Sequence, residues 1–173
     1  MDGGKPLMQV LKERSSSRAF SPETLPEQVL SNLLWAAFGI NRPGTNKRTA
    51  PSAKNQQEID IYVITADGAY RFDAVAHRLE LTAAQDLRAS AGTQGFVTSA
   101  PLNLVYVADF SKMGNRPESE KVFYSAADTG FMAQNVYLYC ASEGLATVVR
   151  GSVDRTVLAK ALSLRPDQRI TLA

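Results

Sequence analysis

The chain has 173 residues, 45% of them apolar and 21% charged, a length and composition that predict one domain, residues 1–173, with a substantial core. Its net charge is +2 and neither sign is gathered into a run, so composition gives no support to a nucleic-acid groove or a polybasic membrane patch. One cysteine, Cys140, and one histidine, His77, exclude an internal disulfide framework, a Cys/His zinc site and any mechanism that needs two of either.

No apolar run approaches the ~18 residues of a membrane span, and residues 1–15 lack the basic and apolar regions of a secretory signal. The expectation is a soluble, cytoplasmic protein, with a removed export signal equally compatible. With so few reactive side chains, any chemistry must come largely from a bound cofactor.

Residues 1–6 form a Gly/Pro-containing lead. Leu7, Val10 and Leu11 then stand at helical spacing and predict a short helix ending near Glu13. Residues 26–38 carry Val29, Leu33, Leu34, Ala37 and Phe38 on one face, a core helix stopped at Gly39. Residues 41–57 hold the densest cluster of Pro, Gly, Asn, Ser and Thr and read as a long, functional loop. Residues 59–65 alternate and are rich in β-branched side chains, and Asp67-Gly68 fits a hairpin turn into a second strand.

Residues 74–90 read as a short helix or coil, and a further helical stretch is expected over 89–99 although Gly92 and Gly95 weaken it. Residues 102–110 form a nearly continuous apolar strand. Residues 119–143 predict a central buried helix with Phe123, Ala127, Phe131, Gln134 or Asn135, and Leu138 on its inner face. Gly144 stops it; residues 146–152 read as a strand, 155–162 as a helix and 169–173 as the opening of a last strand. The pattern predicts an α+β fold, one mostly antiparallel sheet packed by helices.

Three stretches carry polar groups suited to a ligand. Arg14, Ser15, Ser16, Ser17 and Arg18 set two guanidiniums around three hydroxyls; this suits a phosphate ester and equally a solvated serine turn. Pro51, Ser52, Ala53, Asn55 and Gln57 combine small residues with amides, which lets a chain approach a flat heteroaromatic ring, or simply turns a loop into a strand. At Val149, Arg150 and Gly151 the missing Cβ of Gly151 allows backbone to approach a ligand, while a glycine-capped helix followed by a strand explains the same residues. His77 and Cys140 read as structural. No dinucleotide or P-loop glycine pattern occurs.

In order, these stretches resemble the nitroreductase family of flavoenzymes along nearly the whole chain. The pattern R-x-S-x-[RK]-x-F is met by Arg14, Ser16, Arg18 and Phe20; W-A-A by Trp35, Ala36 and Ala37; P-S-x-x-N-x-Q by Pro51, Ser52, Asn55 and Gln57. A late D-x-G-x-x-x-Q-N-x-x-L helix is met by Asp128, Gly130, Gln134, Asn135 and Leu138, and G-L-x-T by Gly144, Leu145 and Thr147. Residues 39–53 are also similar to the branch that holds thiazoline-oxidising dehydrogenases of peptide-modifying systems. Relatives usually continue beyond the strand that opens at Arg169, and many carry an arginine where Ser15 stands.

The resemblance implies an intertwined homodimer with FMN at two interface sites. It assigns Arg14, Ser15, Ser16 and Arg18 to the phosphate or the pyrimidine edge. Pro51, Ser52, Ala53 and Asn55 would come from the other subunit, Gln57 would join the cofactor-binding residues, Val149, Arg150 and Gly151 would lie along the ring near N5, and Gln94 would lie near the flavin. It further implies NAD(P)H as donor and a small nitroaromatic or quinone acceptor in a ping-pong cycle, with no side chain required as acid or base. A flavin-binding protein without turnover, or a dehydrogenase of a peptide-derived heterocycle, fits the same residues.

Overall fold

A computed structural model describes residues 3–173; Met1 and Asp2, which begin the predicted lead, lie outside them. Helix α1, Leu7–Glu13, follows Pro6, and an ion pair of 2.7 Å from Lys5 to Glu13 spans it. Helix α2, Glu27–Phe38, starts after Pro26 and ends at Gly39, whose N–H bonds Trp35 O. A side chain at Gly39 would strike the Trp35 ring, so the stop is also a close approach.

The expected loop at 41–57 contains regular structure. A short hairpin pairs β1, Ile40–Arg42, with β2, Lys47–Arg48, turning at Asn46 with φ 50°. A single helical turn at Ala53–Asn55 follows. Strands β3, Ile59–Ile64, and β4, Ala69–Asp73, form the predicted hairpin.

The helix-or-coil reading of 74–90 is overturned. Residues Arg78–Ala83 form β5, antiparallel to β4 with Leu79 opposite Phe72 and Leu81 opposite Tyr70. The strand lies at a sheet edge, so its two leucines are only partly covered and the apolar alternation that marks an interior strand is faint. Residues 89–99 likewise form no α-helix. They contribute to two single turns, Arg88–Ser90 and Gly95–Val97, with Gly92 packed so closely against the Arg150 guanidinium that no Cβ would fit.

Strand β6, Asn103–Asp109, is an interior strand beside β3. Helix α3, Glu118–Glu143, runs 26 residues and stops at Gly144 in the left-handed conformation, φ 72°. Helix α4, Arg155–Ala161, is capped by Asp154, whose carboxylate accepts the Val157 N–H at 3.0 Å. Strand β7, Gln168–Ile170, closes a wholly antiparallel sheet of order β5-β4-β3-β6-β7. Residues 146–152 are extended but join no ladder; Arg150 and Ala173 exchange one pair of backbone hydrogen bonds, 2.6 and 3.0 Å.

Both sheet faces are covered. Ile59, Ile61, Tyr106 and Ala108 face α2 and α3, while Tyr62, Ile64, Val105 and Val107 face Leu158 and Leu162 in and after α4. The twofold alternation of strand side chains produces this split, and double burial makes β6 read as a nearly continuous apolar run, as β3 does beyond Asp60.

The inner face of α3 is not the one predicted. Phe123 and Phe131 are 67% and 49% exposed, and Ser125, Asp128, Thr129, Met132, Ala133, Val136, Tyr137 and Cys140 point inward. The helix carries two stripes, and the one that packs on the sheet is polar toward its N-terminal half at Ser125, Asp128 and Thr129 and mostly apolar from Met132 to Cys140. The large aromatic stripe is left uncovered. Among the described residues no helix is long and apolar enough to cross a membrane.

Candidate functional site

Tyr137, on the inner face of α3, gathers the first group of predicted residues. Its hydroxyl lies 2.8 Å from Ser16 Oγ and accepts the Val149 N–H at 3.0 Å. The Arg14 guanidinium stacks over its ring, 5.1 Å from the centroid. One residue further on, the Ser17 N–H bonds Thr147 O at 2.9 Å. The Arg14–Arg18 segment is thereby laid along residues 147–149. Ser15 and Arg18 are exposed beside it, and neither Arg14 nor Arg18 has a carboxylate partner among the described residues.

Arg150 anchors the next piece. It is 8% exposed, and its two terminal nitrogens donate to Ala91 O and Asn103 Oδ1, each at 2.8 Å. No carboxylate faces it among the described residues, and burial holds its pKa below the usual guanidinium value. The Arg150 side chain thus turns inward, and its backbone N–H and carbonyl are paired with Ala173. The Thr93 N–H bonds Ser152 O at 3.1 Å, which brings Gln94 beside Gly151. Gln94 Oε1 is occluded from solvent yet receives no donor among the described residues. The space where a Gly151 side chain would project is open.

Next to this group lies a largely apolar cavity of about 180 Å³, walled by Phe20, Phe96, Leu104, Tyr106, Val136 and Cys140 and also bounded by Tyr137, Val149 and Arg150. The Cys140 thiol is pushed up to about 12 by burial, which leaves it an inert wall. His77 is remote from this cavity; its Nε2 lies 2.7 Å from Ser31 Oγ near the protein surface.

The Pro51–Gln57 loop stands elsewhere. Its Ala53 N–H donates to Asp128 at 2.8 Å, and Asp128 precedes Tyr137 by nine residues of one helix, roughly 13 Å at 1.5 Å per residue. Ser52 Oγ accepts the Gln57 N–H at 3.0 Å, and the Gln57 amide is engaged by Arg48, Asn46 and Asn55. Lys54, Asn55 and Gln57 all have φ between 50° and 56°. Within one chain, then, Arg14, Ser16, Gln94, Val149, Arg150 and Gly151 converge, while Pro51, Ser52, Ala53, Asn55 and Gln57 do not join them.

Sequence reasoning missed Tyr137, Asn103 and Glu58. The signal for Tyr137 was a phenol between Ala133, Val136 and Cys140 on α3, since a buried tyrosine hydroxyl needs a partner. Asn103 opens an apolar strand and holds Arg150 on one side and Val97 O, at 3.2 Å, on the other.

Comparison with known proteins gives one consistent picture. The family model described as the nitroreductase family matches residues 11–173. A Methanocaldococcus jannaschii protein that bears the nitroreductase name is 32% identical over 157 residues, 84% of this chain and 78% of its own. A crystal structure from Ralstonia eutropha JMP134, also named as a nitroreductase, superposes with a TM-score of 0.95 at 48% identity, covering 99% of this chain and 82% of that one. The NADPH:FMN oxidoreductase from Vibrio harveyi, complexed with NAD+, shares the fold at a TM-score of 0.69 and 20% identity, covering 96% of this chain and 65% of its own.

Proposed function

This chain belongs to the nitroreductase family and is an oxidoreductase; from that premise we propose that it is an FMN-dependent NAD(P)H oxidoreductase that reduces nitroaromatic, quinone or related small acceptors. The observation that carries this reading is the convergence around Tyr137. Two guanidiniums without acidic partners among the described residues stand at one end, and at the other lie open space at Gly151 and Gln94 Oε1, which meets no donor among those residues. A phosphate needs the first and a flat ring with imide donors needs the second, so the residues present fit FMN. The Vibrio harveyi protein, named for NADPH and FMN and holding NAD+, has the same fold and supports the choice of cofactors.

When bound, FMN supplies the redox chemistry, taking hydride from NAD(P)H and passing electrons to the acceptor in alternate half-reactions. Arg14 and Arg18 bind the phosphate, with Ser15 and Ser16 beside them. The backbone of Val149–Gly151, held by Tyr137 and Arg150, lines the ring. The apolar cavity excludes water from this end of the site.

The working form is a homodimer. The uncovered α3 stripe with Val122, Phe123 and Phe131 is the surface a second copy buries, and the Pro51–Gln57 loop, anchored at Asp128 away from the Tyr137 group of its own chain, completes the partner's site. The test is a visible absorption spectrum after FMN is added and the protein desalted, followed by NAD(P)H oxidation with a nitro or quinone acceptor. Flavin retained at one per subunit with turnover supports the reading. Retained flavin without turnover leaves a flavin-binding protein, and no retained flavin overturns the proposal. Arg14→Ala should weaken FMN retention by the ~1.5–3 kcal/mol of a charged hydrogen bond.

A further inference from the structure

Glu58 precedes β3 and is fully buried, with 0% exposure, yet neither of its carboxylate oxygens receives a donor among the described residues. Its neighbours on α3 are Ser125 and Asp128. Asp128 is also buried and already accepts the Ala53 N–H. Ionised carboxylates only accept hydrogen bonds, so two of them side by side in a dry interior cannot both stay charged. A single proton between them converts one into a donor, removes the repulsion and gives one of the two orphaned Glu58 oxygens a partner.

We propose that Glu58 carries this proton and donates it in a hydrogen bond to Asp128, which makes Glu58 a positioning residue for the Pro51–Gln57 loop. The path is short: Glu58 to Asp128, and Asp128 to the Ala53 N–H. That loop needs an anchor, because three non-glycine residues, Lys54, Asn55 and Gln57, hold left-handed backbone that is costly without support. The part the loop plays in the partner's cofactor site rests on the function proposed above; its anchoring does not.

The surroundings leave the proton few other places. From α3 come Asp128 and the Ser125 hydroxyl, which reaches Met113 Sδ at 3.4 Å. The turn after β6 brings Met113 and Lys112, and Lys112 is paired with Asp60 at 2.9 Å. The Asp109 N–H donates to the Glu58 backbone carbonyl at 2.9 Å and not to its carboxyl. Burial, reinforced by Asp128 and only partly offset by its own backbone N–H and the nearby Ser125 hydroxyl, pushes the Glu58 carboxyl up to about 7.

The experiment follows two signals in the full chain. One is the hydrogen-exchange protection of amides 53–57 without flavin, and the other is the FMN dissociation constant, both from about pH 6 to about pH 8. Isotope-labelled glutamate carboxyl NMR reads the Glu58 titration directly. Protection in the unmodified chain should fall about tenfold as the shared proton leaves. It should stay high and flat in Glu58→Gln, which keeps a neutral donor, and stay low throughout in Glu58→Leu.

A Glu58 carboxyl that titrates with ordinary glutamates overturns the proposal, as does equal loop protection in Glu58→Leu and the unmodified chain. Should Glu58→Leu fail to fold, the carboxyl titration and the Glu58→Gln profile decide alone. If protection behaves as expected while FMN affinity does not follow it, the anchoring stands and the loop's cofactor role fails.

Discussion

Among single residues, Tyr137 joins the most. Its ring carries the Arg14 guanidinium, and its hydroxyl ties Ser16 to the Val149 N–H. Tyr137→Phe separates these duties, since the stacked ring survives and only the oxygen goes. It strands a partly buried N–H, a loss of about 1–3 kcal/mol. The expected outcome is FMN binding weakened about tenfold or more in a chain that still folds, measured by flavin fluorescence titration. Unaltered binding would show that the two segments hold their places without this bridge. Arg150 adds a related point: its planar fork reaches Ala91 O and Asn103 Oδ1 together, a geometry the single ammonium of lysine cannot copy.

Where α3 meets the loop before β3, stability should depend on pH in a direction set by Glu58. Its carboxyl is raised in the folded chain, from 4.5 to about 7. The buried, protonated group therefore supports the fold fully below the unfolded value, and that support is lost as pH rises through the folded value. The melting temperature of the unmodified chain should fall between about pH 5 and about pH 8 relative to Glu58→Gln, by roughly 2–4 °C for each kcal/mol of linkage. Equal slopes for the two chains would contradict it.

The elements differ in how openly the sequence declares them. Helix α2, the β3–β4 hairpin and β6 could be read from periodicity and turn residues because each is buried in a regular way. Strand β5 could not, since an edge strand with only Leu79 and Leu81 as large apolar residues needs β4 beside it to show its alternation. The stretches around Arg14 and Gly151 were legible as suited to a ligand, and the fold brings them together around Tyr137. Tyr137 and Glu58 were not, because a buried hydroxyl or carboxyl acquires its meaning from what packs against it.

Taken whole, the molecule shows why the facing of α3 was misread. A sequence reveals that a helix has apolar stripes, but not which stripe meets its own sheet. Here Phe123 and Phe131 stay on the outside while Met132, Val136 and Cys140 go in. In the proposed dimer that outer stripe is the seam between subunits. Replacing both Phe123 and Phe131 by glutamate should leave the single chain folded, since neither contributes to its core, yet shift sedimentation from dimer to monomer and abolish flavin retention. A pair of substitutions that leaves the dimer intact would place the seam elsewhere.

The roughly 13 Å of helix between Asp128 and Tyr137 has a genetic consequence. In the proposed dimer each chain brings one half of two different sites, so damage to the Arg14 half and damage to the Pro51–Gln57 half fall on separate sites when the two defective chains pair. One site of that mixed dimer has lost both halves and the other has lost neither. Two inactive alleles, co-expressed, should therefore restore part of the activity that neither has alone, whereas two alleles damaged in the same half should not.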